Sequence, residues 1–293
     1  MRVFVTGASG FIGSAVVQEL LKHGHQVLGL ARSDESAKAV ESAGAEVLRG
    51  DLEDVEALKR GAAACDGVAH LAFIHDFSKY MENAQIDKRA IEAMGEAMAG
   101  SNKPLVVAGG LLMLAPGQMA TEDTPSPSAS MRHSEATADA VAARGVRAST
   151  IRLSPTVHGA GDKGFVPMLI AAARDKGLSA YVGDGTGRWP AVHRHDAASL
   201  FRLALEKGSA GAKYHGSAEG DVPTRAIAEL IGRRLSVPVE SKTPEEAMAH
   251  FGFLGMALSA DSPASSAKTQ AELGWRPTGP ELLADMEAHY FGA

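Results

Sequence analysis

The sequence predicts a doubly wound α/β fold, a parallel sheet with helices on both faces. Short apolar runs alternate with helix-length amphipathic stretches through residues 1–153. Strand–helix–strand units at this pace are the mark of parallel strands joined by crossover helices. A glycine triplet also sits between the first run and the first helical stretch, where an α/β sheet makes its first turn.

Arg2–Thr6 reads as a buried strand, and Phe11 to Lys22 as a helix with Ile12, Val16, Leu20 and Leu21 on one face. Gln26–Leu30 is the second strand, and Ser33 opens an Ala-rich helix that Gly44 ends. Glu46–Arg49 is the third strand and Gly67–Leu71 the fourth, after a helix around Val55 and Leu58. A long helix over Met81–Met98 leads to the strand Leu105–Ala108. The segment Ala115–Ser130, rich in Pro, Ser, Thr and Gly, is a loop of the length that often carries function. A helix over Arg132–Ala143 and a strand over Arg147–Leu153 restore the alternation. After Pro155 the texture changes to a loop (Val157–Gly164), a helix (Phe165–Lys176), a Gly-rich turn (Gly183–Gly187) and helices over Ala197–Glu206, Thr224–Leu235 and Leu282–His289. Residues 1–154 thus form the sheet domain, and residues 155–293 a smaller lobe with some segments returning to the sheet.

The 293 residues are 45% hydrophobic and 22% charged, enough to bury a substantial core. A net charge of −6 gives no basic excess for nucleic acid or a membrane surface. Leu105 to Ala115 is the longest uncharged apolar run, about half of the roughly 20 residues a membrane span needs. Cys65 stands alone, so no internal disulfide is expected, and with no secretory leader the expected location is cytoplasmic. His23/His25 and His193/His195 form two H-x-H pairs; on a strand the second pair would point one way, but no further ligands accompany it and no metal site is expected. G-x-S-x-G and P-loop motifs are both missing, which argues against a serine hydrolase and against ATP chemistry.

Thr6-Gly7-Ala8-Ser9-Gly10-Phe11-Ile12-Gly13 joins the first strand to the first helix. Gly7 permits the tight turn, Gly10 lets backbone approach a diphosphate, and Gly13 lets helix and strand pack closely. The free N–H groups of the helix start, at Ser9, Phe11 and Ile12, then face the phosphates. This run resembles the fingerprint of the extended and atypical short-chain dehydrogenase/reductases, the superfamily of nucleotide-sugar epimerases and dehydratases. The resemblance recurs along most of the chain. Asp51-Leu52 is similar to the pair that contacts adenine, and His70-Leu71-Ala72 to the stretch that ends the fourth strand beside the cofactor. Arg152 to Asp162 resembles the R-P-x-x-V-Y-G-P-G-D run, and Gly183-Asp184-Gly185 with Trp189 to Asp196 the substrate-lobe segments. The resemblance implies a Rossmann domain, a nicotinamide dinucleotide, a small-molecule substrate near Val157, Tyr181, Arg188 and Trp189, and a homodimer through the helices near 81–98 and 132–143.

The second strand ends in Ala31-Arg32-Ser33 with no acidic residue to hold a ribose 2′-hydroxyl. Arg32 offers a fork of donors for a 2′-phosphate, with Ser33 assisting, so NADP is expected over NAD; Asp34 leaves NAD possible. The resemblance breaks at the Y-x-x-x-K pair that reductases of the superfamily use. Tyr80, Tyr181 and Tyr214 are followed at the fourth place by Ala84, Gly185 and Ala218, and nothing stands at that place after Tyr290. Aligned on Met131-Arg132-His133-Ser134-Glu135, the Tyr position holds Met131, the Lys position Glu135, and the Ser position falls in Ala108–Leu111. A replacement acid could come from Tyr80, in a cluster with His75, Asp76 and Lys79, or from His133 or His158. The expected function is an NADPH-dependent reductase of a carbonyl or related electrophile. A dinucleotide-binding regulator without turnover and a nucleotide-sugar epimerase/dehydratase are the alternatives.

Overall fold

The computed structural model describes residues 1–127 and 132–292; Met131, aligned with the catalytic Tyr, lies outside the described residues. The sheet half runs β1 (Arg2–Thr6), α1 (Phe11–Lys22), β2 (Gln26–Ala31), α2 (Asp34–Ser42), β3 (Glu46–Arg49), α3 (Val55–Ala63), β4 (Gly67–His70), α4 (Tyr80–Ala97), β5 (Pro104–Gly110), α5 (Ser134–Ala142) and β6 (Arg147–Leu153). The rest runs β7 (Thr156–His158), α6 (Phe165–Lys176), β8 (Ser179–Val182), β9 (Arg188–His193), α7 (Arg194–Lys207), β10 (Lys213–Gly216), β11 (Glu219–Pro223), α8 (Thr224–Leu235), β12 (Val239–Lys242), α9 (Pro244–Phe251), α10 (Phe253–Leu258), α11 (Ala267–Leu273) and α12 (Leu282–His289).

Seven parallel strands form the main sheet in the order β10-β6-β5-β4-β1-β2-β3. Strand order reverses between β1 and β4, and the crevice at the carboxyl ends of those strands is where open α/β sheets bind ligands. Side chains alternate across the sheet. Val3 and Val5 of β1 join Val16, Leu20, Phe201 and Trp275 on one face, while Phe4 joins Leu58, Ile91, Met94 and Leu105 on the other. Helix starts are locally specified: Ser33 and Ser36 form a capping box on α2, and the Asp54 carboxylate caps α3.

The smaller lobe carries a three-stranded sheet (β11-β9-β7) and a two-stranded one (β12-β8). Leu169, Trp189, Ile227, Leu254 and Met286 form its core. The structure differs from the sequence reading at several points. The expected loop after Pro155 opens with β7, which pairs with β9. Five short strands, β8 to β12, were not expected, and β10 among them returns to pair with β6 as the seventh strand of the main sheet. His193 and His195 do not share a strand, because β9 ends at His193 and His195 lies in the first turn of α7.

Candidate functional site

The glycine loop follows β1 at the crevice. Gly7 takes φ +69°, and a Cβ there would stand 2.9 Å from the Ala72 amide nitrogen at the end of β4. A Cβ on Gly13 would stand 2.7 Å from the Gly7 carbonyl carbon and nearer still to its oxygen. The loop therefore closes on itself only with glycine at both places. Gly10 caps α1 without a side chain, so the first N–H groups of α1 face outward, as a bound diphosphate requires. Ser9 is exposed beside them, and Phe11 and Ile12 are half-buried. These residues fit a dinucleotide.

Around the rim, Arg32 is exposed at the end of β2, and Ser33 beside it caps α2. Arg49 bonds Asp34 at 2.5 Å, which draws that carboxylate toward β3. Asp51 accepts from the Glu53 and Asp54 amides with one oxygen, ordering the turn after β3, and Leu52 packs into the sheet core. Leu71 packs against the opposite core, and its amide donates to Thr6.

A buried chain of hydrogen bonds starts at this loop. The Ala72 amide donates to Thr6 Oγ1 (3.2 Å), which meets His70 Nδ1 (2.8 Å). His70 Nε2 meets Asp87 Oδ1 of α4 at 3.1 Å, and Ser134 Oγ donates to Asp87 Oδ2 at 2.5 Å. Arg132 Nε donates to Ser134 Oγ (2.9 Å), and its Nη2 donates to the Ala108 carbonyl of β5 (3.0 Å). A carboxylate only accepts, so His70 carries its proton on Nε2 and Thr6 donates to the Nδ1 lone pair. The linking donors thus point toward Asp87 from both ends, an arrangement in which each bond polarises the next. Burial opposes the charge on Asp87, but the His70 bond, the Arg132 charge and the Ser134 bond outweigh it and hold this carboxyl below its ordinary range.

The far end of that chain is the place that aligns with the usual catalytic residues. Arg132 joins β5 to the start of α5, and its guanidinium lies 4.5 Å from the centre of the Phe73 ring. Tyr80, the first residue of α4, packs at a tilt against Phe73 with ring centres 5.8 Å apart, and His75 meets the same ring edge-on at 5.4 Å. Burial pushes the Tyr80 phenol up, partly offset by Arg132. Burial and Arg132 both push the His75 imidazole down. His133 caps α5 through its backbone and is half-buried. Glu135 forms a two-point pair with buried Arg152 (2.8 and 2.7 Å) and accepts from Ser126, so the Lys position serves as a structural ion pair.

His158 sits elsewhere. It is 1% exposed, its Nδ1 meets Asp285 at 2.8 Å, and its Nε2 is buried with no hydrogen-bond partner among the described residues. Among the substrate-side candidates, Val157 of β7 is half-buried and Tyr181 lies under Arg225 at 5.3 Å. Arg188 forks onto Asp261 (2.9 and 2.7 Å), and Trp189 is fully buried with its indole N–H on the Ala257 carbonyl. The structure therefore gathers Tyr80 and the loop residues at one crevice, with His133 at the start of α5, and sets Trp189 into the small-lobe core.

Sequence reasoning missed Arg132, Asp87 and Ser134. The signal was a carboxylate on the apolar stripe of α4, where Ala84, Ala90, Ile91 and Met94 mark the buried side.

The model of the NAD dependent epimerase/dehydratase family matches residues 3–216. The chain belongs to that family. An uncharacterized protein of Schizosaccharomyces pombe is 52% identical to this family member over 289 residues, 98% of each chain. A 4-hydroxy-2-methyl-3-oxo-4-farnesyl-3,4-dihydroquinoline-1-oxide ketoreductase of Stigmatella aurantiaca is 29% identical over 274 residues, 88% of this chain and 80% of the other. The UDP-glucose 4-epimerase of Thermus thermophilus, solved with NAD, shares the fold with a TM-score of 0.75 at 22% identity over the full length of both chains. Among the described residues no helix is long and apolar enough to cross a membrane.

Proposed function

We propose that this family member is an NADPH-dependent oxidoreductase that reduces a carbonyl or related electrophile of a small organic molecule. The observation that carries the reading is the buried chain from Thr6 at the glycine loop to Arg132 at the end of β5. What supports the reading is that this chain fastens the Arg132 guanidinium beside β5, a positive charge of the kind that stabilises the negative charge developing on a carbonyl oxygen. The bound dinucleotide supplies the hydride. Gly7, Ser9, Gly10, Phe11, Ile12 and Gly13 would hold its diphosphate, Arg32 and Ser33 its 2′-phosphate and Asp51 and Leu52 its adenine, with Leu71 and Ala72 on the cofactor side at the end of β4. Arg132 holds the carbonyl oxygen, and Tyr80, on the same ring of Phe73, gives the proton. His158 is set aside from this role by its burial and its bond to Asp285. Kinship with a ketoreductase supports the reaction class.

The test is a calorimetric titration of wild type and Arg32→Ala with NADPH and NADH, followed by NADPH consumption over a carbonyl panel. The expected result is NADPH tighter by about tenfold, roughly 1.4 kcal/mol, with the preference lost in Arg32→Ala and consumption with at least one carbonyl class. Equal losses for both dinucleotides would remove Arg32 as selector. Tight NADPH binding with no consumption over the panel would replace the enzyme by a dinucleotide-binding regulator.

A further inference from the structure

Arg194, the first residue of α7, reaches out of the small lobe to the start of α1. Its guanidinium lies 4.9 Å from the centre of the Phe11 ring. Nη1 donates to the Ala160 carbonyl at 3.1 Å, and Nη2 donates to Ser14 Oγ at 3.4 Å. Nε is buried and has no hydrogen-bond partner among the described residues. Nor does any carboxylate among them form an ion pair with this arginine, whereas Arg152, Arg188 and Arg202 are each paired. Burial also lowers the guanidinium pKa, so this charge is poorly solvated as well as unneutralised.

The placement is built. Gly159 takes φ +146°, and a Cβ there would stand 2.8 Å from Arg194 Cδ and 2.9 Å from its Cγ, so only glycine lets the side chain pass. The turn after β7 is fastened from the far end of the chain: Tyr290 accepts from the Gly159 amide at 3.1 Å and donates to Asp162 at 2.7 Å. A partly desolvated cation thus stands beside the positive end of the α1 dipole and its free N–H groups, two like-signed features that repel one another. Only an anion between them turns that repulsion into attraction.

We infer that Arg194 is a diphosphate-binding residue of the dinucleotide site, contributed by the small lobe to the glycine loop of the sheet domain. This rests on the dinucleotide reading above. The inference places one half of the phosphate cradle outside the glycine motif, so cofactor binding fastens the two lobes together.

The experiment titrates full-length wild type, Arg194→Gln and Arg194→Lys with ADP-ribose, which carries the diphosphate, and with adenosine, which does not. Arg194→Gln should weaken ADP-ribose about 10- to 100-fold, the range for a hydrogen bond to a charged group, and leave adenosine within about twofold. Raising the salt should weaken ADP-ribose more steeply for wild type than for Arg194→Gln. Equal ADP-ribose affinity in wild type and Arg194→Gln would overturn the inference while leaving the dinucleotide reading intact. Wild type that binds neither ADP-ribose nor NADPH would overturn both. If Arg194→Gln fails to fold, Arg194→Lys decides: the point charge without the fork should weaken ADP-ribose and spare adenosine, and unchanged ADP-ribose affinity would overturn the inference.

Discussion

Replacing Asp87 by alanine tests the buried chain at its centre. Asp87 is 1% exposed and accepts from two groups that are themselves 1% exposed, His70 and Ser134. Its removal leaves an imidazole N–H and a hydroxyl buried without an acceptor, at about 1–3 kcal/mol each. Together with the space left behind, Asp87→Ala should destabilise the protein by about 3–5 kcal/mol, the combined cost of two unsatisfied buried donors and a cavity. Asp87→Asn keeps the shape and one acceptor and should lose roughly 1–3 kcal/mol. Urea unfolding followed by circular dichroism reads both, with unchanged slopes expected. The pH dependence supplies a second check. The folded carboxyl titrates below the unfolded value of 3.8, so its stabilising contribution is complete above that value and fades as pH falls through the folded one. The gap between wild type and Asp87→Asn should be flat from about pH 7 to 5 and close below about pH 4. A loss under about 1 kcal/mol for Asp87→Ala, or a gap that stays constant into acid, would refute the reasoning.

Gly13→Ala should destabilise by about 1–3 kcal/mol through overpacking against the Gly7 carbonyl and abolish measurable NADPH and NADH binding, read by thermal melting and calorimetry. His215 accepts from Arg152 at Nε2 (3.3 Å) and meets the Ser265 carbonyl at Nδ1 (2.8 Å), so it is neutral; burial above all pushes it down to about 4. The unfolded imidazole, near 6.5, binds its proton first, so stability should fall as pH drops from 6.5 to about 4, and a His215→Gln variant with an equally steep fall would contradict this. Tyr80→Phe should lower turnover on a found substrate by about 10²–10⁴-fold with little change in NADPH affinity. Full turnover in steady-state assays would move the proton donor to His133.

What the sequence disclosed was local. Strands β1 to β6 alternate with helices at a regular pace, so each can be read from its place between two helical stretches. Strands β8, β11 and β12 are four or five residues with mixed composition. They exist because a distant partner pairs with them: β12 lies on β8 sixty residues earlier, Val239 opposite Ser179. The glycine loop was legible for the same reason as the long strands, since its spacing and flanks lie within one continuous run. The chain from Thr6 to Arg132 was not, because its five side chains come from β1, β4, α4 and the start of α5 and meet only in the folded protein. Arg188 and Trp189 looked available to a substrate because sequence shows neither the Asp261 carboxylate nor the Ala257 carbonyl that occupy them.

The return of β10 to the main sheet has a bearing on modularity. The chain leaves the sheet at Leu153 and comes back at Lys213, where Thr150 to Leu153 of β6 find their second neighbour. The face that packs on Val3, Val5 and Val16 is completed by Leu200, Phe201 and Trp275, all contributed after the small lobe has begun. A fragment ending at 154 would keep every glycine of the motif yet present β6 as a bare, apolar edge above a half-covered sheet, the situation that invites strand-to-strand aggregation. The cradle and the lobe beside it are therefore one inheritable unit: recombination between such chains can exchange whole proteins or surface loops, but not the nucleotide half for another.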